Sequence, residues 1–232
     1  MSELLIELFS EEIPANLQES SVKTFELMML NNFKEEGLNY NKSEVYWSPM
    51  RLTLCVEGMD SKSKDISINK RGPRFDANDS AINGFARGLE VNKSDLIVEE
   101  TEKGKFYFYK NLKKGTSAEI IIENAIKDII VSFPWKKSMR WGSNNLKWIR
   151  PLHNILCIFD GKPIKFNIDS LKSNSLTNGH RYLAADSINI SNKEDYINQL
   201  LKANVIINPK ERKEAIINSG KKLTNKAGLN FN

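Results

Sequence analysis

Lys136, Lys137, Arg140, Lys147 and Arg150 lie within PWKKSMRWGSNNLKWIRPLHNILCIF, residues 134–159, a stretch without a single Asp or Glu. The acid-free run extends back to Ile129, and it holds Trp135, Trp141 and Trp148, three of the four tryptophans in the chain. Lysine and arginine neutralise phosphates and release their counterions, and an aromatic face stacks on an unpaired base for about 1–3 kcal/mol. Cations interleaved with indoles therefore suit RNA. The same residues also suit a plain structural role, with the indoles in a core and the lysines solvated. Positions 135, 141 and 148 do not share one face of a strand, so at least one indole is expected on a loop.

The two histidines each stand near an arginine, in Arg150-Pro151-Leu152-His153 and in Gly179-His180-Arg181. A neutral imidazole can serve as a base or donate to an RNA oxygen, or it can be a satisfied structural group. Neither comes with a nucleophile: there is no G-x-S-x-G and no Cys–His pair at a suggestive spacing. Hydrolytic editing through His153 or His180 would need such a partner. Glu11 and Glu12 end an apolar run, but neighbours on a strand point opposite ways, which argues against a carboxylate pair. No Walker A loop or G-x-G-x-x-G is present. These are binding features without a catalytic constellation, and no catalytic residue, metal ligand or cofactor is assigned.

The chain has 232 residues, a net charge of +5 and a pI near 9.0, which permits a polyanionic partner without requiring one. No apolar run approaches the roughly 18 residues of a membrane span. The opening MSELLIELFSEE carries acids where an export signal carries bases. Cys55 and Cys157 form no CxxC motif, and with two histidines a zinc site is not expected. A reduced, cytoplasmic location follows as the expectation.

The elements that must position these residues are readable in outline. LLIELFS predicts a buried strand, and Val22, Phe25, Met29 and Phe33 one face of a helix capped by Asn16 and closed by Gly37. EVYW, a turn at Ser48-Pro49 and an alternating, half-buried RLTLCVEG follow. KRGPR reads as a basic loop, and DANDSAINGFARG as a short helix with Ala81, Gly84 and Gly88 open to close packing. LIVEE and KFYFYKNL predict a hairpin. Thr116 and Glu119 match a capping box for a helix running to about Val131. NILCIF, Asp160-Gly161 and KPIKF predict a second hairpin with a two-residue turn. The chain divides into a mixed α/β domain over 1–190 and a charged helical connector over 191–232, with Pro209 opening its second helix.

Taken together, several of these segments resemble a known family. LLIELFSEEIPA, SPMRLTLCVEGM, KRGP followed by AINGFARG, then MRWG, WIRPLHNIL and TNGHRYL are similar, in order and spacing, to the N-terminal part of the beta subunit of bacterial tetrameric glycine–tRNA ligase. Met50, Phe9-Ser10 and Asn154 depart from the family's usual residues. The resemblance implies an α+β fold, a mixed sheet with flanking helices like the B3/B4 module of another synthetase's beta subunit. It implies an N-terminal portion of a longer subunit that binds glycine tRNA and joins an alpha subunit in an alpha2beta2 tetramer. Glycyl-adenylate chemistry, with ATP and magnesium, would belong to the alpha subunit. The positions matching family motifs, Arg140, Trp141, Arg150, His153, His180 and Arg181, together with Lys136, Lys137 and Lys147, are the candidate RNA-binding residues. The alternative is a scaffold or docking module that does not itself touch RNA.

Overall fold

A computed structural model describes residues 2–102, 104–143 and 145–231. The chain forms two compact units, Lys62–Thr116 and the remainder before and after it. The larger unit opens on β1 (Ser2–Ser10), whose alternate side chains serve two layers: Leu4, Ile6 and Leu8 enter one buried cluster and Leu5 another. α1 (Ala15–Glu35) buries Val22, Phe25, Met29 and Phe33 at the spacing expected. Gly37, at φ 70°, closes it, and the Leu38 N–H donates to the Phe33 carbonyl at 2.8 Å. Asn16 is not its cap. Pro14 stands there with φ −50°, and the ring turns the chain into the helix ahead of Asn16.

β2 (Lys42–Ser48) and β3 (Arg51–Met59) are joined by the two residues Pro49 and Met50. β3 is buried on both faces, not half-buried, because it lies between β2 and β1 with a layer against each side. Leu52, Leu54 and Val56 join α1 in the main cluster, whereas Cys55 faces the second one.

The smaller unit holds β4 (Ile66–Arg74), α2 (Asp79–Gly88), β5 (Ile97–Thr101) and β6 (Gly104–Lys113), paired in the order β4–β6–β5. KRGPR is thus strand rather than loop; its register shifts between Arg71 and Arg74, a bulge that absorbs the Gly-Pro pair. The close approach falls at Gly72, where a Cβ would lie 2.5 Å from the Phe85 ring. Gly84 and Gly88 face open space, and α2 packs through Ile82 and Ala86 instead.

The larger unit resumes with α3 (Ala118–Ser132), which buries Ile121, Ile122, Ala125, Ile126, Ile129 and Ile130. Its N-cap is Ser117 without a side-chain bond, so the Thr116–Glu119 box does not form; Ser63 takes both the N–H and the C=O of Thr116. β7 (Leu152–Phe159) and β8 (Lys162–Pro163) make the expected hairpin, with Asp160 at φ 49° and Gly161 at φ 74° in the turn. β9 (Asn167–Ile168), β10 (Leu171–Asn174), β11 (Leu176–Asn178) and β12 (Ser187–Asn189) follow, then α4 (Lys193–Lys202) and α5 (Pro209–Lys226). The sheet runs β2–β3–β1–β7–β10–β9, antiparallel except between β7 and β10, so the fold is α+β with a mixed sheet. Among the described residues no helix is long and apolar enough to cross a membrane.

α1 and α3 supply the helices packed in the main apolar cluster, and α4 covers the other face of the sheet through Tyr196 and Leu200. Lys193 anchors the start of α4, its ammonium on Glu44 and Glu57 and its N–H on Glu3 at 2.7 Å. Beside that second cluster lies a buried polar knot. Glu7, fully buried, accepts from Arg51 Nε at 3.0 Å, the Tyr196 hydroxyl at 2.6 Å and the Thr177 hydroxyl at 2.6 Å. Thr53 bonds the same phenol at 2.9 Å. Burial, with Glu7 adding to it, holds the Tyr196 phenol protonated well above its ordinary pKa. Arg51 Nη2 reaches the carbonyls of Asn178 and Gly179. The knot therefore ties β1, β3, α4 and the chain leaving β11. Removing one partner of a buried ion pair costs about 3–5 kcal/mol, whereas replacing both by apolar groups is often neutral. Arg51→Met is expected to lower the denaturation free energy by that order, and Glu7→Leu/Arg51→Met by clearly less than the sum of the single changes, measured by urea unfolding.

Candidate binding site at the strand ends

β1, the β2–β3 turn and the start of β7 meet at one end of the sheet. The Ser10 N–H donates to Met50 O at 2.9 Å, Glu11 N–H to Pro151 O at 2.9 Å and Ile13 N–H to Pro49 O at 2.6 Å. Where β1 pairs with β7, Phe9 faces Asn154 but Ser10 faces Leu152, so His153 is the extra residue of a bulge. The bulge turns His153 toward Glu11: its Nε2 lies 2.9 Å from Glu11 Oε1. Arg181 Nη2 donates to the other oxygen, Oε2, at 2.8 Å. The three side chains are roughly 40% exposed, so this is a surface ion cluster, not a sealed active site. The hydrogen bond from His153 holds the Glu11 carboxyl below its ordinary value; burial opposes it, and Arg181 adds to the lowering.

The segment bearing Arg181 is held from beneath. Thr177 is bonded to Glu7, and the next two carbonyls accept from Arg51. A Cβ at position 179 would lie 2.6 Å from both Ala184 O and the Ala203 methyl, so only glycine lets the chain pass the end of α4. The His180 N–H then donates to Ala203 O at 2.9 Å. Two hollows flank Arg181. One, of about 370 Å³, touches Phe9, Glu11, His153 and Ala185; the other, of about 350 Å³, lies between the β2–β3 turn, His180 and the α4–α5 connection. Phe9 closes part of the first against the Arg51 guanidinium, 4.7 Å from its ring centre. Among the described residues no cluster of His, Cys, Asp or Glu has the makings of a metal site.

The acid-free segment is elsewhere in its contacts. Met139 and Trp148 exchange backbone hydrogen bonds at 2.8 and 3.1 Å, closing a loop whose base is the Phe133–Trp135–Trp148 cluster, with ring centres 4.5–5.0 Å apart. Trp148 is fully buried, and Trp135 and Trp141 pack half-buried against the main core. Trp148 thus offers no face to a base. Lys136, Lys137, Arg140, Lys147 and Arg150 are exposed, and among the described residues none makes an ion pair. Arg150 donates to its neighbour's carbonyl, Ile149 O, at 2.9 Å. The structure thus brings His153 and Arg181 together and sets His180 beside them, while Arg140, Trp141 and Lys147 belong to the loop and Lys136, Lys137 and Arg150 flank its base. Glu11, weighed from the sequence only as half of a carboxylate pair with Glu12, is the member left out of the candidate residues. Its signal was the acidic end of LLIELFSEE, since the cation Arg181 and the ring of His153 both need an acceptor.

The sequence model of a family described as glycyl-tRNA synthetase beta subunit matches residues 4–232. The glycine–tRNA ligase beta subunit of Ruegeria sp. (strain TM1040) is 40% identical over 220 residues, 93% of this chain and 32% of the relative. The corresponding subunits of Dinoroseobacter shibae and Paracoccus denitrificans are 39% and 36% identical over 220 residues. The chain spans about a third of the length of these relatives.

The lowered pKa of Glu11 has a defined sign. Its ion contacts are fully present above the ordinary value of 4.5 and are lost as the pH falls through the lowered one. In a carbon-13 NMR titration, the Glu11 carboxyl is expected to titrate below 4.5, and His153→Ala to move it upward more than Arg181→Ala does. An equal or reversed order would remove His153 as its principal partner.

Proposed function

The chain belongs to the glycyl-tRNA synthetase beta subunit family, and we propose that it is a tRNA-binding and assembly portion serving the ATP-dependent glycylation of tRNA. On this reading the chemistry, with its ATP and magnesium, belongs to the alpha subunit of a cytoplasmic tetramer of two alpha and two beta chains. This chain contributes binding surface and no catalytic group.

The observation that carries the RNA reading is the exposed set Lys136, Lys137, Arg140 and Lys147, in a run without an acid. None of these cations makes an ion pair among the described residues, the one carboxylate bonded to the loop, Asp169, being taken up by the Asn145 and Leu146 N–H groups. The closure at Met139 and Trp148 presents Arg140 and Lys147 with less entropy to lose. Fluorescence anisotropy of labelled glycine tRNA, titrated with this chain at low and moderate salt, tests it. Arg140→Ala is expected to weaken binding and to reduce the slope of log K against log salt by about 0.7–0.9, the change for one phosphate no longer neutralised. An unchanged slope removes Arg140 from the interface.

The packing of all three indoles favours a second reading, an inter-domain or inter-subunit scaffold that leaves RNA to other parts of the subunit. Acrylamide quenching separates the two. RNA binding at the loop should shield half-buried Trp141 on adding tRNA, a change absent in Trp141→Phe; the scaffold reading expects no change in either protein.

A further inference from the structure

The hollow between the β2–β3 turn and the α4–α5 connection has a chemistry that the ion cluster beside it does not explain. Ser48 and Arg51 are cross-strand partners at the ends of β2 and β3, so their side chains enter the same face. Both line this cleft. Ser48 is 4% exposed, and its hydroxyl has no hydrogen-bond partner among the described residues. That oxygen is itself closed off from solvent, so Ser48 supplies wall to the cleft of about 350 Å³, and the donors that face a bound group lie among the other lining residues.

The other polar groups there are of defined kind. His180 Nδ1 accepts from the Tyr182 and Leu183 N–H groups, both at 3.3 Å, which leaves its proton on Nε2 as a donor. Arg212, one turn into α5, is half-buried and spends one nitrogen, Nη1, on the carbonyls of Ile206 and Ile207 at 2.8 and 3.3 Å. No carboxylate pairs with it among the described residues, whereas Arg51 and Arg181 are matched by Glu7 and Glu11. Burial draws Arg212 below the ordinary arginine value, and the guanidinium stays charged at neutral pH. Glu12 is the carboxylate on the lining, exposed and without an ion pair among the described residues. At the mouth stands Tyr182, 82% exposed, with its ring 6.2 Å from that of His180.

An unpaired cation with two donors asks for an oxyanion. A lone carboxylate nearby asks for hydroxyl or amino donors, as when an acid holds a ribose diol. An exposed ring asks for a flat face. We propose that this cleft binds one ribonucleotide unit, its phosphate on Arg212 and His180, its ribose hydroxyls on Glu12 and its base against Tyr182. The unit is either a free nucleotide or an unpaired residue of an RNA strand, since both present the same groups.

The test is a nitrogen-15 NMR titration of this chain with adenosine 5′-monophosphate, its 2′-deoxy analogue, inorganic phosphate and a 5′-phosphorylated tetraribonucleotide. Adenosine monophosphate should shift the amides of residues 179–182 and 204–206 saturably. Arg212→Gln should weaken it about tenfold and Glu12→Gln about threefold, in proteins whose remaining spectra overlay the parent. The deoxy analogue should bind more weakly. A tetranucleotide that binds more tightly than the monophosphate identifies an RNA strand as the source; equal affinity identifies the free nucleotide. No saturable shift with either, affinities unchanged in both variants, or inorganic phosphate matching the monophosphate would overturn the proposal. The tRNA titration of Arg140→Ala reads a different surface, so failure of one reading leaves the other standing.

Discussion

The carboxylate of Glu7 organises the side of the sheet on which the site is built. It interrupts the apolar run from Leu4 to Phe9 in β1, fully buried, and such a charge is tolerable only when its lone pairs are filled. Arg51, Tyr196 and Thr177 fill them, and each comes from a different part of the chain. Arg51 in turn has donors left over, which it directs to the carbonyls of Asn178 and Gly179. Satisfying one buried anion therefore fixes α4 over the sheet and sets the path of the segment carrying His180 and Arg181. An apolar core packs with some freedom, but a knot of directional bonds has one arrangement, and a binding surface needs that uniqueness more than it needs added stability.

The two sides of the same sheet thus do different work. Toward α1 and α3, Leu4, Ile6, Leu8, Leu52, Leu54 and Val56 make an ordinary apolar layer that carries the burden of stability. Toward α4, the layer is smaller and gives way to polar groups near the strand ends. The bulge at His153 and the short Pro49–Met50 turn complete that end, one by re-aiming a side chain and the other by holding β1's last residues through backbone bonds.

Much of the fold was legible because its signals are local. The Asp160-Gly161 hairpin requires two positive φ angles in sequence, and the pair that best tolerates them is what the chain supplies. The buried stripe of α1 and the Gly37 closure follow from helical geometry alone. The errors came where tertiary position decides. β3 alternates like a half-exposed strand, yet Arg51 and Thr53 are buried because Glu7 and Tyr196 face them. KRGPR looks like a loop because glycine and proline interrupt strands, and a bulge accommodates both. Glu7 itself was readable in principle: an acid amid leucines and phenylalanine must be paired, and the arginine of MRLTL is a natural partner. What the sequence could not supply was the pairing across 44 residues.

The candidate site divides along the same line between local and distant. The tryptophans and lysines of the acid-free segment are close in sequence, and their types suggested one shared surface. Their burial separates them. The indoles of Trp135 and Trp148 stack with Phe133 at the base of the loop, while the cations stand outside, so the aromatic cluster's contribution is to hold the basic loop in shape. A flexible basic loop must lose its own conformational freedom on meeting a polyanion; a loop already closed by a hydrogen-bonded bridge loses less. The strand-end cluster follows the same logic with charge instead of packing. Glu11 takes up both His153 and Arg181, which holds two donors in place and balances the arginine charge that would otherwise attract any anion indiscriminately. Arg212 has no such acid among the described residues, and in a cleft flanked by neutralised pairs that difference selects where an oxyanion would settle.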